Sequence, residues 1–125
     1  MGLVQALDLD AANIPRIATG LGGGVGRHGE ICGVLLGAAM AIGLKHGRTS
    51  DDDPDARART YPRVDKLITA FEKEFGKVRC IELTGCDFRT LEGAERFAKE
   101  NLHATLCTKL VAFVAHEAER LMTGD

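Results

Sequence analysis

A glycine-rich stretch runs directly into an apolar one in residues 20–44, which read GLGGGVGRHGEICGVLLGAAMAIGL. The segment from Gly20 to Gly29 holds six glycines, which indicates a loop that needs positive φ angles or close backbone approaches. From Ile31 to Leu44 nearly every residue is apolar, a pattern typical of a helix that is buried on all sides. We therefore predict a glycine loop that leads into a central buried helix beginning at Cys32.

Helical spacing of apolar residues continues on both sides of this segment. It covers residues 3–20, either as one helix or with a second segment that Asp10 caps and that has Pro15 in its first turn. It also covers residues 63–75, and residues 92–121 as one long helix or a broken pair, while residues 78–83 indicate a short helix or turn. The polar stretch 49–60 contains four aspartates between Asp51 and Asp55 and predicts a surface loop. Because no strand pattern of any length is present, we predict a single all-α domain over residues 1–125, a compact bundle of about five helices.

Composition excludes several classes of function. The net charge is −2 and there are five Phe, one Tyr and no Trp, so neither a basic field nor a set of stacking aromatics is available for nucleic acid. The longest apolar run, 31–44, is too short to cross a bilayer and contains three glycines. No secretory signal pattern opens the sequence. We expect a cytoplasmic protein with no membrane insertion and no nucleic-acid partner.

Four cysteines carry the strongest chemical signal: Cys32, Cys80, Cys86 and Cys107. In the cytosol, clustered cysteines more often indicate metal or redox chemistry than permanent disulfides. We take all four as candidate catalytic residues and metal ligands, and their soft sulfur donors favour an iron–sulfur cluster or zinc. At the start of a helix, Cys32 is also favoured as a thiolate. The alternative is that the four are small buried hydrophobic residues.

The glycine loop offers a second candidate site. Residues 24–29 match G-x-G-x-x-G, but the dinucleotide fingerprint requires a preceding strand, which the pattern here does not supply. Unpaired N–H groups ahead of a helix nevertheless favour an anion. The candidate cofactor-binding residues are Gly23, Gly24, Gly26 and Arg27. His28 and His103 each stand four residues before a cysteine, so both are added as candidate metal ligands.

Three blocks of sequence resemble one known family. They are residues 22–27, residues 29–37, which read GEICGVLLG, and residues 40–47, followed by Cys80, Gly85-Cys86-Asp87 and Cys107. In this combination the chain resembles the C_GCAxxG_C_C family of redox-active proteins over roughly residues 14–121. The resemblance implies a small helical protein with four characteristic cysteines, and a related domain of split-Soret cytochromes implies an iron–sulfur cluster.

The chain departs from the family pattern at two places. Val34 stands where the motif has Ala, and the cysteine of the family's first helix has no counterpart before Cys32. Cys86 or a histidine is the available substitute for that ligand.

Two functions follow as hypotheses. The first is a cysteine-based redox or electron-transfer protein, which binds an iron–sulfur cluster or another thiophilic metal, or cycles between dithiol and disulfide with a redox partner. The second is a non-enzymatic protein that binds a small anion or forms a homodimer through the small-residue face of the central helix, with purely structural cysteines. The first hypothesis predicts that Cys32 lies within reach of at least one of the other three cysteines.

Overall fold

The computed structural model describes residues 2–124 and is built of helices. Seven α-helices occur in this range: α1 (Gly2–Ala6), α2 (Ile14–Ala18), α3 (Gly33–His46), α4 (Ala56–Phe75), α5 (Cys80–Thr84), α6 (Leu91–Lys99) and α7 (Thr108–Thr123). A 3-10 turn (Thr19–Leu21) follows α2, and a π-helical turn (His103–Cys107) precedes α7. Extended pairing in the described range is confined to one isolated antiparallel bridge, between Ile31 and Arg79. The predicted all-α class is confirmed.

Three long helices form the core. Helices α3, α4 and α7 pack against one another, and α1 covers one end of α3 and α7. Their apolar faces bury Val4, Leu35, Ala38, Ala41, Ile42, Leu67, Phe71, Leu110, Val114, Ala118, Leu121 and Met122. Phe113 of α7 packs edge to face on Phe71 and Phe75 of α4, with ring centroids 6.4 and 5.2 Å apart, a favourable arrangement for aromatic rings.

The central helix begins one residue later than the sequence predicts. Cys32 is its N-cap, and its carbonyl accepts hydrogen bonds from the N–H groups of Leu35 and Leu36 at 3.0 and 3.2 Å. At the other end Gly47 is the C-cap. The helix is apolar all round, as expected, yet Met40 and Leu44 are exposed. One face of α3 therefore remains uncovered in the single chain.

The prediction of one continuous helix over residues 3–20 was wrong, because the chain is not helical between α1 and α2. Asp8 has a φ of +52°, which ends α1, and the N–H of Leu9 reaches back to the carbonyl of Val4 at 2.8 Å. The carboxylate of Asp10 then accepts a hydrogen bond from the N–H of Ala12 at 3.1 Å. This local turn competes with helix formation. Pro15 stands in the first turn of α2, as predicted.

The predicted loop at residues 49–60 is shorter than expected, because α4 already begins at Ala56. The early start is fixed by Arg59, whose guanidinium pairs with the carboxylate of Asp53 and donates to the carbonyl of His46 at 3.1 Å. One member of the aspartate run therefore joins the start of α4 to the end of α3.

For residues 92–121 the sequence predicts one long helix or a broken pair, and the structure has the broken pair. The break lies between α6 and the π-helical turn.

No helix within residues 2–124 has the length and apolar character needed to cross a bilayer.

Candidate functional site

The glycine loop is a left-handed turn. Five consecutive residues, Gly23 to Arg27, have φ angles between +59° and +71°. Two of them, Val25 and Arg27, are not glycine, and such residues adopt this conformation only with strain. The loop therefore holds two side chains in positions that an ordinary turn would not give them.

The N–H groups of this loop are used inside the protein. Those of Val25, Gly26, Arg27, His28, Gly29 and Glu30 donate to carbonyls of residues 20–25 at 2.9–3.2 Å. The loop's role is thus to bring chain segments close together, and these six N–H groups are not free for an anion. The candidate cofactor-binding residues are placed as follows: Gly23, Gly26 and Arg27 line an open groove, and Gly24 is buried.

A short extended pairing brings Cys80 to the loop. Around the Ile31–Arg79 bridge, the N–H of Cys32 donates to the carbonyl of Val78 at 2.9 Å, and the N–H of Cys80 donates to the carbonyl of Glu30 at 2.7 Å. A Cβ atom on Gly24 would lie 2.7 Å from the Cβ of Cys80. Glycine is therefore required at position 24 for Cys80 to approach this closely.

The four thiols differ in their access to solvent. Cys32 and Cys86 are buried, at 7% and 1% exposed. Cys80 and Cys107 are half-buried and line a groove of about 630 Å³. The groove is also lined by the glycine loop, Arg27, His103, Phe88 and Phe97. Two thiols thus face an open space large enough for a small molecule, while the other two lie in the interior.

Electrostatic effects show that the four thiols share one region. Burial, and after it the charges of nearby Cys32, Cys107 and Cys86 in that order, together raise the pKa of Cys80 from 9.0 to about 11. Burial, followed by the charge of Cys32, also raises the pKa of Cys107. A charge acts this way only over a short distance in a partly desolvated site. The charges of the other three thiols therefore all reach Cys80, and that of Cys32 also reaches Cys107.

Cys86 is held by its own turn. Its N–H donates to the hydroxyl of Thr84 at 3.1 Å, and its thiol donates to the carbonyl of Thr84 at 3.5 Å. Gly85, with a φ of +67°, ends α5 and reverses the chain between them. Complete burial and local hydrogen bonding favour a structural role for this cysteine.

The two candidate histidines lie in different places. His103 lines the groove beside Cys107, on the π-helical turn. His28 is exposed and lies nearer to Asp87, whose pKa is lowered mainly by hydrogen bonds from Arg89 and to a smaller extent by His28. Only His103 therefore shares the groove with the thiols.

Within residues 2–124, no three His, Cys, Asp or Glu side chains are arranged so as to hold a metal ion. The donors, as they stand, do not fit zinc or an iron–sulfur cluster, both of which need three or four converging ligands. A metal or cluster stays a prediction, and no chemical step is derived through one.

Sequence reasoning missed two parts of the groove wall. The first is the pair of rings of Phe88 and Phe97, which pack edge to face with centroids 4.8 Å apart. The π-helical turn that carries His103 and Cys107 has no signal in the sequence, although such turns often occur at functional sites.

Comparison with known proteins agrees with this cysteine-centred arrangement. A search of curated proteins and a search of solved structures found no match. A family model described as "Putative redox-active protein (C_GCAxxG_C_C)" matches residues 1–121, which include all four cysteines and the glycine loop. The chain therefore belongs to the C_GCAxxG_C_C family of redox-active proteins.

Proposed function

We propose that this protein carries out thiol–disulfide exchange in the groove, with Cys107 as the attacking thiol and Cys80 as the resolving thiol. The observation that carries the proposal is that two half-buried thiols face one groove while every other cysteine acts electrostatically on one of them, Cys80. Membership of a redox-active family supports the same class of chemistry.

The exchange is written in two steps. The thiolate of Cys107 attacks one sulfur of a disulfide substrate, forms a mixed disulfide and releases the other half as a thiol after it takes up a proton. Cys80 then loses its proton and attacks the sulfur of Cys107, which releases the second thiol. One disulfide of the substrate is reduced, and two protein thiols are oxidised to one disulfide. The reverse sequence reduces the protein.

The assignment of the two roles follows from their surroundings. Burial, followed by the three neighbouring thiols, raises the pKa of Cys80 to about 11, so its thiolate is hard to form, and it is suited to react last with a sulfur held beside it. Cys107 has His103 at the same groove wall, and an imidazole there is available to accept the proton of the attacking thiol.

The experiment equilibrates the reduced protein with dithiothreitol buffers of increasing oxidised fraction, without metal, and counts free thiols. We expect the count to fall from four to two in one reversible step, with no gain of dimer on a non-reducing gel. The C80S variant should lose this step, and C86S, the matched control outside the groove, should retain it. Four free thiols at every potential, or an unchanged step in C80S, would overturn the proposal.

A second candidate function, self-association, is favoured by the uncovered face of α3. This face, with α1, α2 and α7, lines an apolar groove of about 380 Å³. Four exposed hydrophobic residues border it: Ile17, Met40, Leu44 and Val111. In the described part of the chain, no charged residue lines it, so two copies can meet here without burying a charge.

Light scattering tests this second candidate. The protein should have the mass of a dimer at micromolar concentration, and M40E should reduce it to that of the 13.4 kDa chain. The control is T69E, a change at an exposed position of α4 outside this groove. A wild-type protein with the mass of one chain at every concentration would exclude the homodimer.

A further inference from the structure

We propose that the substrate of the groove is a low-molecular-weight disulfide that carries a carboxylate, and that Arg27 binds this carboxylate. The inference rests on the proposed function and deepens it, because it names the substrate class for the same two thiols.

The charges around the groove carry the first step. Its lining contains the basic residues Arg27 and His103 and no Asp or Glu. In residues 2–124, five arginines form ion pairs with carboxylates and five do not. Of the second five, Arg27 is the one that lines this groove. A guanidinium without an internal carboxylate partner, beside a groove without acidic residues, is matched to an anionic ligand.

The conformation of Arg27 carries the second step. Its φ is +71°, a conformation that strains a residue with a Cβ and that glycine adopts freely. Four of the five positions before Arg27 are glycine: Gly22, Gly23, Gly24 and Gly26. An arginine therefore stands at position 27 despite the backbone strain, which indicates that its side chain has a function.

The size and walls of the groove carry the third step. A volume of about 630 Å³ lies within the range of small-molecule sites, about 300–1,000 Å³. The paired rings of Phe88 and Phe97 give it an apolar wall, which suits the carbon chain between a disulfide and a terminal carboxylate.

The test uses three small disulfides of similar length and different charge: 3,3′-dithiodipropionate, bis(2-hydroxyethyl) disulfide and cystamine. For each disulfide, the rate at which it oxidises the reduced protein is divided by the rate at which it oxidises a free small thiol. This ratio removes differences in intrinsic reactivity among the three disulfides. We expect the dicarboxylate to be preferred over the neutral disulfide by about fivefold, the size of a partly exposed ion pair of about 1 kcal/mol.

Variants at position 27 decide the role of its charge. R27Q should lose the preference for the dicarboxylate while oxidation by the neutral disulfide continues, and R27K should keep most of it. R57Q removes the same charge from an exposed position of α4 and should leave the preference unchanged. Thermal unfolding of each variant checks that it is folded.

The possible failures are distinguishable. Equal normalised rates for the three disulfides in the wild type, or an unchanged preference in R27Q, would overturn the role of Arg27 and leave thiol–disulfide exchange intact. If none of the three oxidises the wild-type protein, the proposed function falls, and this inference falls with it.

Discussion

At Cys80, two physical effects act in the same direction. Burial disfavours the thiolate, and the charges of Cys32, Cys107 and Cys86 disfavour it further, so the pKa rises to about 11. At neutral pH this thiol is protonated and unreactive on its own. It reacts efficiently only when a neighbouring sulfur is already held beside it, which is the situation of a resolving cysteine.

The first prediction concerns the pH dependence of alkylation at Cys80. Because only the thiolate reacts, the rate with iodoacetamide should rise about tenfold for each pH unit between 8 and 10, without levelling off. A free cysteine peptide should level off near pH 9. Quantifying the alkylated Cys80 peptide by mass spectrometry gives the rate. A plateau of the Cys80 rate below pH 9 would show that its thiolate is not disfavoured.

The second prediction compares two glycines of the same loop. Gly24 and Gly26 both have positive φ angles, +70° and +59°, so alanine strains the backbone at either position. At Gly24 the new Cβ would also lie 2.6–2.7 Å from the backbone of Glu30 and the Cβ of Cys80, while at Gly26 nothing lies within 4 Å. We expect G26A to cost about 1 kcal/mol, and G24A to cost at least about 2–3 kcal/mol because overpacking adds to strain.

Urea unfolding of both variants measures these costs. The comparison is internally controlled, since the residue change and the loop are the same. Equal costs at the two positions would contradict the close packing of the loop on Cys80.

At the scale of elements, the site depends on how three short segments are anchored. The glycine loop forms hydrogen bonds within itself, and the Ile31–Arg79 bridge connects it to the start of α5. Helix α6 contributes Phe97 to the groove. None of these segments is long enough to be stable alone. Their positions come from caps and close backbone contacts, so loss of a cap should affect the groove.

The third prediction concerns the cap of α6. The hydroxyl of Thr90 accepts a hydrogen bond from the N–H of Gly93 at 3.0 Å and donates one to the carbonyl of Asp87 at 2.9 Å. T90A should lower the free energy of unfolding by about 1 kcal/mol, and T90S should restore most of it because the hydroxyl returns. Thermal or urea unfolding measures the change. A T90A protein as stable as the wild type would show that the cap contributes nothing.

Elements with a continuous apolar pattern could be predicted from the sequence, and those set by local hydrogen bonds could not. The apolar run after Cys32 gave α3 to within two residues at either end. The break after α1 depends on the positive φ of Asp8 and a turn at Asp10, and neither has a pattern that overrides helical spacing. The start of α4 was missed because residues 56–60, which read ARART, carry no continuous apolar pattern. Their helix is fixed by Arg59, which pairs with Asp53 and donates to the carbonyl of His46.

At the scale of the whole molecule, the core of α3, α4 and α7 places the thiols at one end. Cys32 caps α3, and Cys107 ends the π-helical turn that leads into α7, so packing of these two helices brings both cysteines to the same end. Cys80 is added by the loop after α4. The packing of apolar helices was enough to predict that Cys32 and Cys107 lie in the same region. It was not enough to predict which of the four cysteines are buried and which line the groove.

The residues that line the groove also come together only in the folded molecule. Phe88, Phe97, Arg27 and His103 come from separate segments and share no sequence pattern. The glycine loop was expected to hold an anion through its N–H groups, and six of these are bonded internally instead. A ligand in the groove would therefore be held by side chains of the loop and of the neighbouring helices.

The most direct test of the account is to map the disulfide formed when the reduced, metal-free protein is oxidised by a small disulfide. Proteolysis under acidic, non-reducing conditions followed by mass spectrometry should identify a Cys80–Cys107 linkage within one chain, with Cys86 still reduced. A linkage that leaves out Cys80, or four reduced cysteines after full equilibration, would contradict the central position given to Cys80.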